Sequence, residues 1–129
     1  MTTERAYEQA VAHLETIVEL LRRLHEALDA GDEAAEDEAR AEIEELPLEV
    51  LVRSGWRRPG EAMEPEEYQI LLATGGPAVR ITGVLGRWGE PITALLEYAD
   101  WGTPWTAYYA DAEEEKVLLE FARQFYYGG

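Results

Sequence analysis

Apolar side chains recur every three or four positions over residues 4–30, the spacing that places them on one side of an α-helix. The apolar seam consists of Tyr7, Val11, Leu14, Ile17 or Val18, Leu21, Leu24 and Leu28. Gly31 follows and can adopt the left-handed conformation that commonly ends a helix. The pattern therefore predicts one long amphipathic helix over residues 4–30.

A second, shorter helical pattern follows the first. Asp32 can cap a helix that runs to about Leu46, and Pro47 stops it. The apolar side of this helix is narrow, and its residues are Ala35, Ala39, Ile43 and Leu46. Because small side chains let two helices approach closely, residues 4–46 are predicted to form a helical hairpin.

From residue 48 onward the period changes to the two-residue alternation of strands. Strands are predicted over residues 48–52, 68–74, 78–85 and 92–99, with a short fifth strand over residues 105–109. Gly75-Gly76 is a strong hairpin signal between the second and third strands. These connections predict an antiparallel β-meander of 4–5 strands within residues 48–109.

The last apolar pattern, Val117, Leu118, Phe121 and Phe125, has helical spacing. It predicts a C-terminal helix over residues 112–126 that packs on the sheet. The expected fold class is therefore α+β: an N-terminal acidic helical hairpin, an antiparallel β-meander and a C-terminal helix. The chain has the length of one domain, residues 1–129.

The composition is strongly acidic, with 27 Asp and Glu against 11 Lys and Arg and a formal net charge of −16. This charge excludes a general nucleic-acid binder, because neutralising phosphates needs clustered Lys and Arg, and it repels anionic membranes. It attracts basic proteins, including those whose groove holds DNA or RNA. The sequence contains no cysteine, no apolar run near the ~20 residues of a membrane span and no signal-peptide pattern. We expect a cytoplasmic protein.

Residues suited to catalysis or metal binding are sparse. The single serine, Ser54, lacks the glycine two positions earlier that a nucleophile elbow needs, and no G-x-G or P-loop pattern is present. His13 and His25 are expected to flank the apolar seam, and at about 18 Å apart along the helix axis they cannot share a metal ion. We therefore expect no enzymatic activity, no cofactor and no metal site.

Acidic residues are densest between Asp29 and Glu49, where ten carboxylates face one arginine, Arg40. One interpretation is a solvated helix face, partly neutralised by pairs such as Glu36–Arg40 and Arg40–Glu44. A second is loose binding of divalent cations, although no EF-hand pattern is present. The third is mimicry of a nucleic-acid backbone, since eight carboxylates on the second helix give one charge per ~2.8 Å of axis, against one per ~1.7 Å in duplex DNA.

The segment over residues 98–109 is rich in aromatic side chains, including Trp101 and Trp105 beside Gly and Pro. Such rings either cover the edge of the core or form a binding face. Packing of both tryptophans against the last helix is favoured, with Asp100 bonded to local backbone amides. Trp88, within the turn at residues 86–91, is expected to be exposed.

The C-terminal half contains the segments 53–56 (RSGW), 74–81 (TGGPAVRI), 100–105 (DWGTPW) and 121–126 (FARQFY). Over roughly residues 46–128 the chain resembles a set of small acidic proteins encoded by bacteriophages and plasmids, a family without a characterised activity. Small acidic phage proteins often oppose host defence, as anti-CRISPR and anti-restriction proteins do. The resemblance implies a target in the cytoplasm of the host cell, and it carries over no functional residues.

The leading hypothesis is a non-enzymatic inhibitor or interaction protein of mobile-element origin. Its expected partner is a basic nucleic-acid-handling protein of the host, a CRISPR effector or a restriction enzyme, bound by DNA mimicry or by steric blockade. The expected partner-binding residues are Asp32, Glu33, Glu36, Asp37, Glu38, Glu42, Glu44, Glu45, Trp88 and Trp101. Two alternatives stay open. One is a small-ligand-binding domain or an enzyme with a cleft near Arg80, Asp100 and Trp101, and the other is a dimeric scaffold, a homodimer formed through residues 7–28.

Overall fold

The computed structural model describes residues 4–128, which form three helices and five strands. In chain order these are α1 (Glu4–Ala30), α2 (Glu33–Glu45), β1 (Glu49–Arg53), β2 (Glu67–Ala73), β3 (Ala78–Val84), β4 (Leu95–Ala99), β5 (Thr106–Ala107) and α3 (Ala112–Ala122). Neighbouring strands pair antiparallel in the order β1-β2-β3-β4-β5. The predicted α+β fold, a helical hairpin followed by a meander and a closing helix, is confirmed.

The helical hairpin forms for the local reasons that the sequence indicates. Gly31 has a positive φ of 66° at the end of α1, and Asp32 caps α2 by accepting a hydrogen bond from the Ala35 amide at 3.1 Å. Ala39 and Ile43 are fully buried on the side of α2 that faces α1. The small side chains on that side of α2 allow the close packing of the two helices.

The buried side of α1 differs from the predicted seam. Its buried residues are Ala6, Ala10, Leu14, Ile17, Leu20, Leu21, Leu24 and Ala27, whereas Tyr7, Val18 and Leu28 are about half exposed. The seam is displaced because α1 packs against α2, the sheet and α3 together, and its row of alanines admits the closest neighbours. None of the helices within residues 4–128 combines the length and the apolar character that crossing a membrane requires.

One face of the sheet, here called the inner face, is covered by α1 and α3. Its buried residues include Tyr68, Ile70, Leu72, Val79, Ile81 and Leu96, which share one core with Leu118 and Phe121 of α3. Gly83 also lies on this face, beside the Tyr68 ring, whose hydroxyl donates a 2.5 Å hydrogen bond to the Thr93 carbonyl. A Cβ atom at position 83 would lie 2.6 Å from the Tyr68 ring, so glycine is required there. Burial raises the pKa of the Tyr68 hydroxyl.

Strands β1, β2 and β3 begin and end within one residue of their predicted bounds, whereas β4 is shorter than predicted. It begins at Leu95 instead of residue 92. Pro91 has no N–H to donate to a ladder, and the Val84 amide donates to the side-chain oxygen of Thr93 at 2.9 Å instead of to a backbone carbonyl. Because of Pro91 and the Thr93 hydroxyl, regular pairing of β4 begins only at Leu95.

Helix α3 is also shorter than predicted, since it ends at Ala122 instead of residue 126. The Gln124 amide donates to the Phe121 carbonyl at 3.0 Å, the tighter pattern that often ends a helix. Phe125 packs on the core as expected, with its ring 5.2 Å from that of Phe121. The apolar periodicity thus continues past the helix because the following turn still faces the core.

Candidate functional site: the acidic face of the hairpin

The outward side of α2 carries five exposed carboxylates: Glu33, Asp37, Glu38, Glu44 and Glu45. We call these five residues the acidic face. None of them takes part in an ion pair within residues 4–128. By helical geometry Glu33, Asp37 and Glu44 form one row along the helix, and Glu38 and Glu45 form a second row. The exposed residues between the two rows are alanines, which carry no charge, so every charged side chain on this surface is a carboxylate.

Two arginines lie along the flanks of α2, and each of them is paired. Arg40 donates from Nε to Glu36 at 2.9 Å and from Nη1 to the side-chain oxygen of Gln124, just beyond the end of α3, at 3.2 Å. Arg23 of α1 forms an ion pair with Glu42. Glu36 and Glu42, both expected to bind a partner, therefore form ion pairs within the protein, whereas the carboxylates of the acidic face form none, although Glu38 lies near Arg23.

The charge density on the acidic face is close to that of a single nucleic-acid strand. Five carboxylates on a helix of 13 residues correspond to one charge per ~4 Å of axis, and one DNA strand carries one phosphate per ~3.4 Å. The count of five leaves out Glu36 and Glu42, which form ion pairs, and Asp32, whose carboxylate caps the helix. The face therefore matches one strand better than it matches a duplex.

The exposed side of α1 adds fewer free charges than the number of its glutamates suggests. Arg22 binds both Glu19 and Glu26, and the Arg22 guanidinium holds the pKa of Glu19 below its usual range. Four carboxylates over the 27 residues of α1, those of Glu4, Glu8, Glu15 and Asp29, are exposed and form no ion pair within the described part of the chain, against five over the 13 residues of α2. The free anionic surface is therefore concentrated on α2.

The two predicted tryptophan anchors are both exposed, but they lie in different places. Trp88, 83% exposed, is in the turn at residues 86–91, which α3 holds through a 3.1 Å hydrogen bond from Arg123 to the Pro91 carbonyl. The next residue, Gln124, contacts Arg40 of α2. Trp88 therefore lies in a turn that Arg123, at the end of α3, holds in place.

Trp101 lies at the other end of the sheet, next to the turn between β2 and β3, because a Cβ atom on Gly76 would be 3.1 Å from that of Trp101. Its side chain is 72% exposed, so the expectation that it packs against the last helix is wrong. The reason is local. As expected, Asp100 bonds a turn amide, since its carboxylate accepts from the Trp101 amide at 2.8 Å. The Thr103 hydroxyl completes a tight turn. This turn directs the indole outward.

Trp105 packs on the sheet instead of on α3, which corrects a second expectation. Its ring lies 4.0 Å from the guanidinium carbon of Arg80, on the face of the sheet opposite the core, here called the outer face. Arg80 is fixed there by Glu97 and by Gln69, each at 2.9 Å. The alternation of β3 around the buried Ile81 was the signal that could have placed Arg80 on this face.

Arg80 lines a shallow depression of about 400 Å³ on the outer face, together with Gln69, Thr82, Glu97 and the Arg53–Glu67 pair. The cleft predicted near Arg80, Asp100 and Trp101 is not formed as expected, because neither Asp100 nor Trp101 lines this depression. Trp105 is the tryptophan that contacts Arg80. The sequence predicted that Arg80 would line a cleft, as it does, but it assigned Trp101 instead of Trp105 as the neighbouring aromatic residue.

We expect Trp105 to contribute more to the stability of the protein than Trp101. Trp101→Ala should change the free energy of unfolding by less than about 0.5 kcal/mol, since the ring is largely in solvent. Trp105→Ala should lower it by about 1–2 kcal/mol, because it removes both apolar packing and the contact with Arg80. Urea unfolding of the two variants checks this order, and an equal or reversed effect would contradict the placement of the rings.

Each of the two histidines contacts another group of the protein. His13 bonds the Gln9 carbonyl at 2.9 Å, and His25, at the edge of α1, lies 2.5 Å from Glu120 of α3. Within residues 4–128 no group of three or more His, Asp or Glu side chains converges in the way that a metal site requires. Comparison of the chain with protein-family models, with curated proteins and with solved structures finds no match.

Proposed function

We propose that this protein is a non-enzymatic interaction protein whose acidic face binds a basic, nucleic-acid-handling protein. One observation carries the proposal: Arg23 and Arg40 are engaged with Glu42 and Glu36 along the flanks of α2, and the acidic face is exposed without a direct ion pair among residues 4–128. Five like charges on a short helix repel each other and oppose folding. A cationic partner would offset that repulsion.

The spacing of the carboxylates supports mimicry of a nucleic-acid backbone over unspecific attraction. A helix holds its charges at fixed intervals, and the interval on α2 is close to that of phosphates along one strand. A groove lined with Lys and Arg for a sugar–phosphate chain can therefore accept α2 in the same place. Long-range attraction between the two would raise the association rate at low salt.

The class of partner follows from two further features. The resemblance of residues 46–128 to proteins of phages and plasmids supports a target in host defence, such as a CRISPR effector or a restriction enzyme. The exposed Trp88, in a turn that Arg123 holds at the end of α3, offers an apolar contact in addition to the charged one. Interfaces commonly combine an aromatic anchor of this kind with a polar rim.

Affinity capture from a bacterial lysate that contains such defence complexes tests the proposal. The baits are the parent and an acidic-face variant with Glu33→Gln, Asp37→Asn, Glu44→Gln and Glu45→Gln. The control is a variant with Glu61→Gln, Glu64→Gln, Glu113→Gln and Glu115→Gln, which alters four exposed carboxylates away from α2 and changes the net charge equally. We expect the parent and the control to capture the same basic nucleic-acid-binding proteins, and the acidic-face variant to lose them.

Three outcomes would contradict the proposal. If all three baits captured the same proteins, the acidic face would not be the contact, and if both variants lost them equally, only overall charge would act. If the proteins lost by the acidic-face variant had no affinity for nucleic acid, the partner would belong to another class. Thermal unfolding of each variant accompanies the capture to verify that the fold is intact.

A further inference from the structure

Strand β1 is an open edge of the sheet. It has five residues, and within residues 4–128 another strand pairs with it on one side only. Exposed edges present unpaired backbone groups to further strands, and proteins usually blunt them with proline, with lysine or by keeping the edge strand very short. The opposite edge, β5, is two residues long, whereas β1 is longer and contains neither proline nor lysine. β1 is therefore the edge that is suited to pairing.

The hydrogen-bond pattern of the sheet shows which backbone groups of β1 are unpaired. The Leu85 amide donates to the Glu66 carbonyl at 2.8 Å, so the even-numbered residues of β2 bond to β3 and the odd-numbered ones bond to β1. The register places the odd-numbered residues of β1 opposite the latter. The N–H and C=O groups of Val50 and Val52 therefore point away from β2, and within residues 4–128 they make no hydrogen bond to another segment.

The sequence of β1, Glu-Val-Leu-Val-Arg, begins with an acid and ends with a base, so a copy running in the opposite direction is complementary to it. Arg53 bonds to Glu67 through Nε and Nη2, at 3.0 and 3.1 Å, which leaves Nη1 for another carboxylate. Glu49 is exposed and forms no ion pair within the described residues. Glu49 and Arg53 both lie on the outer face, at the two ends of the strand.

We infer that β1 pairs antiparallel with β1 of a second copy of this chain, with Leu51 opposite Leu51. This register places Val50 opposite Val52 of the second copy, so the unpaired backbone groups of the two strands meet in hydrogen-bonded pairs. It also places Glu49 opposite Arg53 at both ends of the contact, where opposite charges attract. A shift by two residues keeps the backbone bonds but separates these charges, so the charged pairs select the register.

The expected dimer is weak. In strand addition the main-chain hydrogen bonds supply the affinity, so the contact requires no large apolar face. The net charge of −16 on each copy opposes association, and the contact is small. We therefore expect a dissociation constant on the order of 100 μM at moderate salt, where the repulsion between the copies is screened.

Charge reversal at the two ends of β1 tests the inference by sedimentation of the full chain. Glu49→Arg and Arg53→Glu, made as separate variants, each place like charges opposite each other, and each alone should associate about 10-fold more weakly than the parent or less. Mixed in equal amounts, the two variants should associate about as strongly as the parent, because every charged pair across the contact is again opposite in sign. Both positions are exposed, and thermal unfolding verifies that each variant is folded.

A second pair of variants separates the edge from the rest of the outer face. Leu51→Lys places two ammonium groups side by side at the centre of the contact, whereas Leu95→Lys introduces the same group on β4 of the same face. The two positions are 46% and 42% exposed. We expect Leu51→Lys to stay monomeric up to about 1 mM and Leu95→Lys to associate like the parent.

Amide hydrogen exchange gives a readout that needs no substitution. In the parent, exchange at Val50 and Val52 should slow as the protein concentration rises, whereas the Leu51 amide, which faces β2, should change less.

Four results would overturn the inference. They are a parent that stays monomeric at about 1 mM, single charge-reversal variants that associate like the parent, a mixture of the two that fails to recover association, and exchange at Val50 and Val52 that is independent of concentration. Loss of association by Leu95→Lys with retention by Leu51→Lys would also overturn it, since the contact would then lie away from the edge. None of these results bears on the acidic face, so the two proposals fail separately.

Discussion

Phe121→Ala is expected to lower the free energy of unfolding by about 3–5 kcal/mol, the usual cost of removing a fully buried aromatic ring. Phe121 has no exposed surface and belongs to the core that joins α3 to the sheet, with the Phe125 ring 5.2 Å away. The remaining cavity cannot be filled by the small alanines of α1 without a shift of helices. Because domains of this size have about 5–15 kcal/mol of stability, urea unfolding should show a large decrease in the midpoint.

Tyr126→Ala is the matched control for this prediction. The Tyr126 ring is also near the end of α3, but it is largely exposed, so its removal should change the free energy of unfolding by less than about 0.5 kcal/mol. Equal destabilisation by the two substitutions would contradict the packing of α3 on the inner face. A small effect of Phe121→Ala alone would mean that the core relaxes around the cavity.

The acidic-face variant is expected to lower the association rate with the captured partner by about 10- to 100-fold at low salt. The four substituted side chains form no ion pair within residues 4–128 and are exposed, so the fold should persist. Exposed charges act mainly on diffusional encounter, and the dissociation rate should therefore change less than the association rate. Surface plasmon resonance with the partner immobilised measures both rates.

The control variant with Glu61, Glu64, Glu113 and Glu115 neutralised separates position from net charge. It should reduce the association rate by less than about threefold, because its carboxylates lie outside α2 and are screened at the contact. If both variants slowed association equally, the whole field of the protein would steer the encounter and α2 would have no special part. If neither did, the contact would lie elsewhere on the surface.

Much of the fold follows from local signals that the sequence contains. Asp32 caps α2 as its position before an apolar pattern indicates, and Asp111 caps α3 in a reciprocal box with Glu114 at 2.8 and 3.0 Å. Gly75 has the positive φ that its turn between β2 and β3 requires. These features depend on residues close together in the chain, which is why periodicity and turn chemistry predict them.

The parts that sequence reasoning missed depend on contacts between distant segments. The buried side of α1 depends on its contacts with α2, the sheet and α3 together. Periodicity alone could not show that its alanines would be buried and that Tyr7 and Val18 would be partly exposed. Trp105 reaches Arg80 because β5 returns beside β4. No spacing along the chain indicates that cation–π contact, and the general tendency of aromatics to be buried suggested a wrong place for Trp101.

The position of the acidic face could be predicted from the sequence, but which carboxylates of α2 are free of ion pairs could be predicted only in part. All eight carboxylates predicted on the second helix lie on α2 or at its cap. The sequence alone suggested two pairs of Arg40, of which the pair with Glu36 is present and the pair with Glu44 is not, since the other side of the guanidinium contacts Gln124. It could not show that Arg23 would reach Glu42, because that contact requires the angle at which α1 and α2 cross. The acidic face is therefore smaller than the predicted set, and within residues 4–128 its carboxylates form no direct ion pair.

Competition by single-stranded DNA for the captured partner tests the central claim most directly. If the acidic face occupies a groove built for nucleic acid, increasing DNA should displace the parent protein completely, and the displacement should follow simple competition for one site. The Trp101→Ala variant should be displaced in the same way, since Trp101 lies at the far end of the sheet. A ternary complex of partner, DNA and this protein, with affinity for the protein unchanged by DNA, would contradict the account.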